Sequence, residues 1–382
     1  MGLISINTRQ KTFLILFFCS LIIGIKLGTL IPLLSLILES KGYSNIEIGI
    51  NTIAQPLATL LFVRVTPRII HRYGLTKALV LSQLMAIVLY FSFLFVDGLT
   101  AWFILRFIIG FAGALAWNAF DTWVLTLADD SNRGKIVTTY NVVFALGFAI
   151  GPIILSFTGI EGSFPFLMIA LISFIVILPI LIIKVEAPEL PKHKPLPVFL
   201  TILAAPTIFG AAILIGLEDV MFISFLPIYL IKSNLSQELA LNYVTISLVG
   251  GVLTQPIIGY VIDKYNKRTI LNVLVFLTFI APIILHFVLN NFLLSTIFLV
   301  IWGGAASGIF ATGLTMVGER FKMSEVASAT AIFVMVFESG SVIGPIIGGN
   351  AMDLIGPSGF IITISVLTFL FLIIALYHTI RR

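Results

Sequence analysis

Long apolar runs alternate with short polar breaks along the whole chain. The runs predict twelve helices, over 12–38, 45–70, 76–96, 100–127, 136–158, 164–184, 199–231, 237–262, 269–289, 292–318, 326–350 and 359–380. Most of them reach the roughly 20 apolar residues that a bilayer crossing needs. The breaks carry Gly, Asn, Asp or Ser, as in Lys41-Gly42-Tyr43-Ser44, Asp97-Gly98, Asn290-Asn291 and Gly356-Pro357-Ser358-Gly359. Links this short make neighbouring spans antiparallel.

Composition supports the same reading. The chain is 59% hydrophobic and only 10% charged, where a soluble domain has roughly a quarter of its residues charged. Its mean hydropathy is +1.15. The first run is too long for a signal-peptide core and reads as a span. One cysteine, Cys19, lies within that run, so no disulfide forms within the chain and the thiol packs.

The net charge of +5 reflects topology rather than a nucleic-acid partner. With the N-terminus in the cytoplasm, that side holds Arg9, Lys11, Arg64, Arg68, Arg72, Lys77, Arg133, Lys135, Lys184, Lys192, Lys194, Lys264, Lys267, Arg268, Arg320, Lys322, Arg381 and Arg382. The outer side holds Lys41 and Lys232. Basic residues favour the cytoplasmic side, so both termini are expected there, in a multi-pass protein of the cytoplasmic membrane.

The one polar, proline-punctuated linker is KVEAPELPKHKPLP, from Lys184 to Pro197. It divides the chain into an N-terminal six-helix bundle (1–184), a cytoplasmic linker (185–198) and a C-terminal six-helix bundle (199–382). The halves repeat. VFALGFAIGPII at Val143–Ile154 matches VFESGSVIGPII at Val336–Ile347, and Ser44 and Ser236 each precede an even-numbered span. The offset stays near about 192–193 positions, the mark of a duplicated unit. Parallel duplicated halves around a midplane site are a transporter plan. The expected fold is an all-α integral membrane protein, with twelve transmembrane helices in two pseudo-symmetric six-helix bundles.

The motifs on this frame resemble those of the major facilitator superfamily, over essentially the whole chain. GYVIDKYNKR from Gly259 to Arg268 resembles its cytoplasmic G-x-x-x-D-R-x-G-R-R signature, with Lys264 and Asn266 as departures. The first-half copy, from Pro67 to Lys77, has Pro67 and His71 in place of the Gly and Asp. Arg106-Phe107-Ile108-Ile109-Gly110 resembles the R-x-x-x-G of the fourth helix. Gly147, Gly151 and Pro152 resemble the fifth-helix signature of antiporter branches. The run from Gly304 to Gly359 resembles YcaD-like members. The resemblance implies a cytoplasmic gate at Arg72, Gly74, Gly259, Asp263, Lys264, Lys267 and Arg268. Asp263, Lys264, Lys267 and Arg268 would lock the outward-open state by contacts that break on rocking. Asp121, by its place toward the cytoplasmic end of the fourth span, is expected to be a gate residue pairing with loop cations, or otherwise a cavity acid.

Read without that resemblance, the residues exclude some chemistry. There is no G-x-x-x-x-G-K-[ST] phosphate loop, no H-E-x-x-H and no paired-cysteine metal spacing. The four histidines lie far apart. No metal, cofactor or enzyme activity is expected, and transport would run on an ion gradient or passively.

The informative residues are charges inside spans: Lys26, Arg106, Asp121, Glu218, Asp219 and Glu338. Each costs at least about 2.5–3.5 kcal/mol at mid-helix, so each faces protein or water and needs a partner. Glu338 stands where the first-half repeat has Ala145. On a helical wheel Gly340 and Gly344 lie roughly 120–160° from it. The glycines should pack on a neighbouring helix and Glu338 should face a cavity, where a carboxyl can carry a proton. The alternative is a structural ion pair.

Adjacent Glu218 and Asp219 diverge by about 100°, and Glu218 is taken as the one facing the centre. Proton-coupling candidates are therefore Glu338, Glu218, Asp219 and Asp121. Pro206 and Pro227 bracket the seventh span and predict a bent start. Arg106 and Asp121 share one face but lie about 22 Å apart along it, so they cannot pair with each other. Lys26 pairs with an acid across the bundle or holds a substrate anion. Arg106 tunes a cavity carboxylate. Trp117 and Asn118, with Lys26, Arg106, Glu218 and Glu338, are substrate-contact candidates. Gly147, Gly151, Pro152, Gly340, Gly344 and Pro345 are read as helix packing, with close approach at the interface between halves.

The expected function is secondary transport of a small molecule by alternating access, as proton-coupled export of an amphipathic or cationic compound. One alternative is proton symport or facilitated uptake of a polar or anionic metabolite. Another is a membrane sensor that moves nothing. The expected partners are a small-molecule substrate and the bilayer, with no nucleic acid, and the expected state is a monomer.

Overall fold

A computed structural model describes residues 8–63, 65–128, 133–182 and 196–380. Among these residues it contains fifteen helices and no strand. The N-terminal half holds α1 (Thr8–Ser40), α2 (Asn45–Thr52), α3 (Ala54–Phe62), α4 (Thr66–Tyr73), α5 (Leu75–Ser92), α6 (Leu99–Leu127), α7 (Arg133–Thr158) and α8 (Phe164–Ile182). The C-terminal half holds α9 (Val198–Ala204), α10 (Pro206–Lys232), α11 (Gln237–Lys264), α12 (Lys267–Val288), α13 (Phe292–Arg320), α14 (Met323–Ile355) and α15 (Gly359–Ile380).

Eleven helices are long and apolar enough to cross a membrane, and Asn45–Phe62 with Thr66–Tyr73 makes a twelfth span bent by 62°. The spans sit where hydropathy places them, with two differences. The second span was expected to run unbroken over 45–70. Instead it bends before α4, where Pro67 stands in the first turn and supplies no backbone N–H. The seventh span breaks at Ala205, whose φ of −146° and ψ of 59° leave the helix just before Pro206. Of the linker expected over 185–198, residues 185–195 lie outside the described residues, and Val198 already opens α9. Arg64, Lys184, Lys192, Lys194, Arg381 and Arg382 also lie outside them.

Local sequence sets the helix starts. Ser44 caps α2 in a reciprocal capping box with Glu47, and Ser236 accepts from the Leu239 N–H at the start of α11. Asn266 and Asn291 cap α12 and α13 in the same way.

The duplicated glycines each pack a helix pair within one half. A Cβ on Gly147 or Gly151 would meet the backbone of α1 at Leu21 and Gly28, while Gly24 and Gly28 meet Phe144 and Phe148 of α7. In the second half, Gly340 and Gly344 meet the backbone of α10 at Ile213 and Leu217, and Gly216 meets Phe337. These glycines were expected between the halves and are not found there. The close approach across halves belongs to Gly49 on Pro345 and to Gly349 on Asn45. Pro152 and Pro345 stand inside α7 and α14.

The two ends of the bundle differ. At the end opposite Thr8 and Ile380, one apolar core joins both halves, with Leu34 and Ile48 in contact with a cluster that includes Phe225 and Tyr243. At the other end there are two cores. One is drawn only from the N-terminal half, from Leu16 to Ile180, and the other only from the C-terminal half, from Ala205 to Ala375. Side-chain bonds between halves follow the same division. Glu39–Lys232 at 3.7 Å, Ser156–Asn242 at 3.4 Å and Asp353 with the start of α2 all lie at the joined end. Among the described residues the halves are closed at that end and parted at the end of the termini.

Candidate functional site

Helix α10 is the most enclosed span. Along it only Pro206, Asp219 and Lys232 are exposed, and the first and last of these are its ends. Asp219 thus opens onto space from the middle of a buried apolar helix. A carboxylate in that place faces water between the halves, because lipid would leave it unsolvated. No hydrogen bond or ion pair engages it among the described residues.

Glu218 points the other way, which corrects the expectation that it, rather than Asp219, faces the centre. It is 4% exposed and accepts a hydrogen bond at Oε1 from the Trp302 indole of α13. Its Oε2 has no partner among the described residues. Trp302 is wedged edge-on against Phe222, with ring centroids 4.9 Å apart, and Glu218 shares a small gap with Thr368 of α15. The choice between the two acids depends on which side α13 and α15 cover.

Glu338 lies near the middle of α14 and is half-buried. The glycine face beside it packs on α10, as expected, and Glu338 stands on another face. Among the described residues it has neither a hydrogen bond nor an ion pair, so the structural ion pair is not seen. Gly216 of α10 meets Phe337, and Gly340 of α14 meets Leu217, so Asp219 and Glu338 stand on neighbouring turns of two packed helices of the C-terminal half.

The buried cations do not complement these acids. Lys26 is 5% exposed, and its Nζ donates to Gln83 Oε1 at 2.9 Å. It also lies over the Tyr90 ring, 5.9 Å from the centroid. The expected acid across the bundle is replaced by a neutral amide. Arg106 is fully buried, and its Nη1 donates to Asn51 Oδ1 at 3.0 Å and Thr52 Oγ1 at 3.4 Å. Its Nε and Nη2 have no partner among the described residues. Both cations are sealed inside the N-terminal half, away from the space that Asp219 faces.

Further along α6, Asp121 is half-buried, with the Tyr140 hydroxyl and the Trp117 indole N–H within reach of its carboxylate. No loop cation pairs with it among the described residues, in contrast to the gate role expected for it. Trp117 is 37% exposed and meets Phe144 edge to face at 4.7 Å. Asn118 donates both N–H groups of its amide, to Thr66 Oγ1 at 2.9 Å and Ala114 O at 3.0 Å, so it braces α4.

A family model described as Major Facilitator Superfamily matches residues 16–243 and again 208–382. The chain belongs to the major facilitator superfamily. It is 24% identical over 352 residues to the uncharacterized MFS-type transporter YfkF of Bacillus subtilis, covering 89% of this chain and 88% of that protein. It is 21% identical to the uncharacterized MFS-type transporter YcaD of Shigella flexneri, covering 92% and 90%. Among solved structures, nucleoside transporter NupG matches with a TM-score of 0.75 at 17% identity, over 97% of this chain and 98% of that one. A bacterial homolog to the human lysosomal transporter Spinster, inward-facing and unoccupied, matches with 0.73 at 14% identity, over 98% and 96%. Likenesses this distant show the shared fold. These relatives are transporters, and this chain is a multi-pass transporter of the same superfamily.

The superfamily signature residues lie at the parted end and bond within their own half. Lys264 donates to Tyr260 Oη at 3.2 Å, Lys267 pairs with Glu319 at 2.8 Å, and Arg268 reaches the His378 carbonyl at 3.4 Å. Asp263 is exposed. A Cβ on Gly259 would meet nothing within 4 Å. On the other half, Gly74 takes a φ of 84° between α4 and α5, and Arg72 lies over its neighbour Tyr73. No bond crosses between halves here among the described residues. Sequence reasoning missed Asp353 and Asn45 at the joined end, Tyr140 beside Asp121 and Phe144 beside Trp117.

Proposed function

We propose that the chain is a proton-coupled secondary transporter that exports a small amphipathic or cationic compound by alternating access. The observation that carries this reading is the Asp219–Glu338 pair. Two carboxyls without cation partners face solvent at mid-membrane, where a proton or a cationic substrate can neutralise them in turn. Competition for one acidic site is the simplest coupling of opposed proton and cation movement. The parted end is the cytoplasmic end, in keeping with the Lys and Arg bias, so this arrangement is the inward-open one. The coupling ion is the proton, and the working unit is a monomer, since each chain carries both bundles.

Uptake of an anionic metabolite is less well supported. It would use Lys26 and Arg106, which are sealed in the N-terminal half and bonded to neutral amides.

Flux in proteoliposomes tests the proposal. A proton gradient directed against substrate movement should drive accumulation in the wild type. Glu338→Gln and Asp219→Asn should abolish that accumulation, while Glu338→Gln should keep substrate counterflow. Accumulation driven by protons moving with the substrate would overturn export. Unchanged gradient-driven flux in both variants would overturn the pair as the coupling site.

A further inference from the structure

The face of α6 toward the parted end is not used by the coupling pair. Ile104 is 52% exposed on one side of α6. At about 100° per residue, Gly113 and Trp117 lie roughly 140–180° from it, on the side where Trp117 meets Phe144 of α7, the helix that packs on α11 of the other half. A Cβ on Gly113 would meet nothing within 4 Å, so there is open space before this face. Trp117 shows part of its indole to that space and is braced by Phe144, which stacks on Phe148 at 6.1 Å. Asp121 follows one turn on. Tyr140, buried among the N-terminal core residues, holds its hydroxyl toward the Asp121 carboxylate. Asp121 stands about 9 Å from the end of α6, nearer the opening than mid-membrane Asp219.

We propose that Trp117, Asp121, Tyr140 and Phe144 form a cation subsite on the N-terminal half, distinct from the Asp219–Glu338 pair, which takes the charged head of an organic cation. An aromatic face beside a carboxylate is the chemistry that holds ammonium and phosphonium groups, through ring quadrupole and ion pairing together. The same surface repels anions. It offers few hydrogen-bond donors to a ligand, because both N–H groups of the adjacent Asn118 amide are already taken. The subsite receives the cation at the parted end before the ligand reaches the midplane acids. Only that place in a cycle rests on the export reading; binding itself does not.

Equilibrium binding to the purified full chain in detergent tests this without any gradient. The probes are tetraphenylphosphonium and tetraphenylborate, which match in shape and differ in sign. Wild type should bind the cation and discriminate against the anion. Asp121→Asn should weaken cation binding by about tenfold or more, with Asp121→Glu retaining most of it. Trp117→Leu should weaken it by about three- to tenfold, with Trp117→Phe recovering most of the loss. The charge-retaining and aromatic variants separate lost recognition from lost folding. Equal binding of both probes, no binding of the cation, or cation binding that depends on Asp219 and Glu338 but not on Asp121 and Trp117 would each overturn the subsite. The last result would leave proton-coupled export standing. Unchanged gradient-driven flux in Glu338→Gln and Asp219→Asn would overturn the coupling pair and leave the subsite standing.

Discussion

Asp353 and Asn45, 308 positions apart, are joined across the two halves by the Asn45 backbone N–H at 2.9 Å and its side-chain Nδ2 at 2.6 Å, both to Asp353 Oδ1. The Ile46 N–H reaches Oδ2 at 2.8 Å. A carboxylate at the end of α14 thus serves the N-terminus of α2, where free N–H groups and the helix dipole favour an anion. Ser44 caps the same helix from its own half, so α2 is held from both sides only while this end is closed.

Asp353→Ala should therefore favour the state in which this end opens. A charge at a helix N-terminus is worth about 0.3–2 kcal/mol, or about a two- to thirtyfold change in the ratio of states. In a Cys19→Ser background carrying Asn242→Cys, labelling by a membrane-impermeant thiol reagent should accelerate within that range. An unchanged labelling rate would remove Asp353 from the closure.

The glycine contacts predict a graded series. Gly344→Ala drives a Cβ into the Leu217 backbone of α10, and overpacking of this kind costs about 1–3 kcal/mol. Gly318→Ala adds a methyl group to open space and improves helix propensity. Thermal unfolding in detergent should show a lower Tm for the first and an equal or higher Tm for the second. Equal losses would mean that helix packing does not distinguish these sites.

Trp302 and Glu218 should respond asymmetrically. Trp302→Phe leaves both carboxyl oxygens of Glu218 buried without a donor, at about 1–3 kcal/mol. Glu218→Gln keeps an acceptor for the indole and should hold Tm much closer to the wild type. Because Glu218 faces away from the solvent that Asp219 meets, Glu218→Gln should also retain gradient-driven flux. Abolished flux with intact folding would place Glu218 in the coupling path after all.

Lys26 and Gln83 form a buried pair of cation and neutral amide. Lys26→Met alone strands the Gln83 oxygen, and removing one buried partner is costly. The double variant Lys26→Met/Gln83→Leu removes both polar groups and should recover stability toward the wild type. Additive losses in the two Tm values would show that the pair is not a coupled unit.

Much of the architecture was legible in the residues. Twelve spans follow from apolar runs because unpaired backbone groups cannot cross hydrocarbon outside a helix. Ser44 and Ser236 mark helix starts because their hydroxyls answer local N–H groups. Glu338 stood out as the place where the repeat fails, and its neighbours Gly340 and Gly344 revealed which face would be covered. Asp353 could have been found as well. A carboxylate in the last turn of α14 opposes its own helix dipole, and that local conflict signals a partner elsewhere.

The chain's local chemistry determined what spans the membrane, where helices begin, and which residues carry charge into the bilayer. It could not determine which of two adjacent acids, Glu218 or Asp219, meets water, since they differ only by about 100° of helix rotation. That was decided by α13 and α15 closing over one side of α10. Tertiary packing also gave Lys26 an amide instead of an acid, placed the duplicated glycines within halves, and joined the halves at one end only. Each of these depends on contacts between residues far apart in the chain. Hydropathy and helical period describe one helix at a time and carry no information about its neighbours.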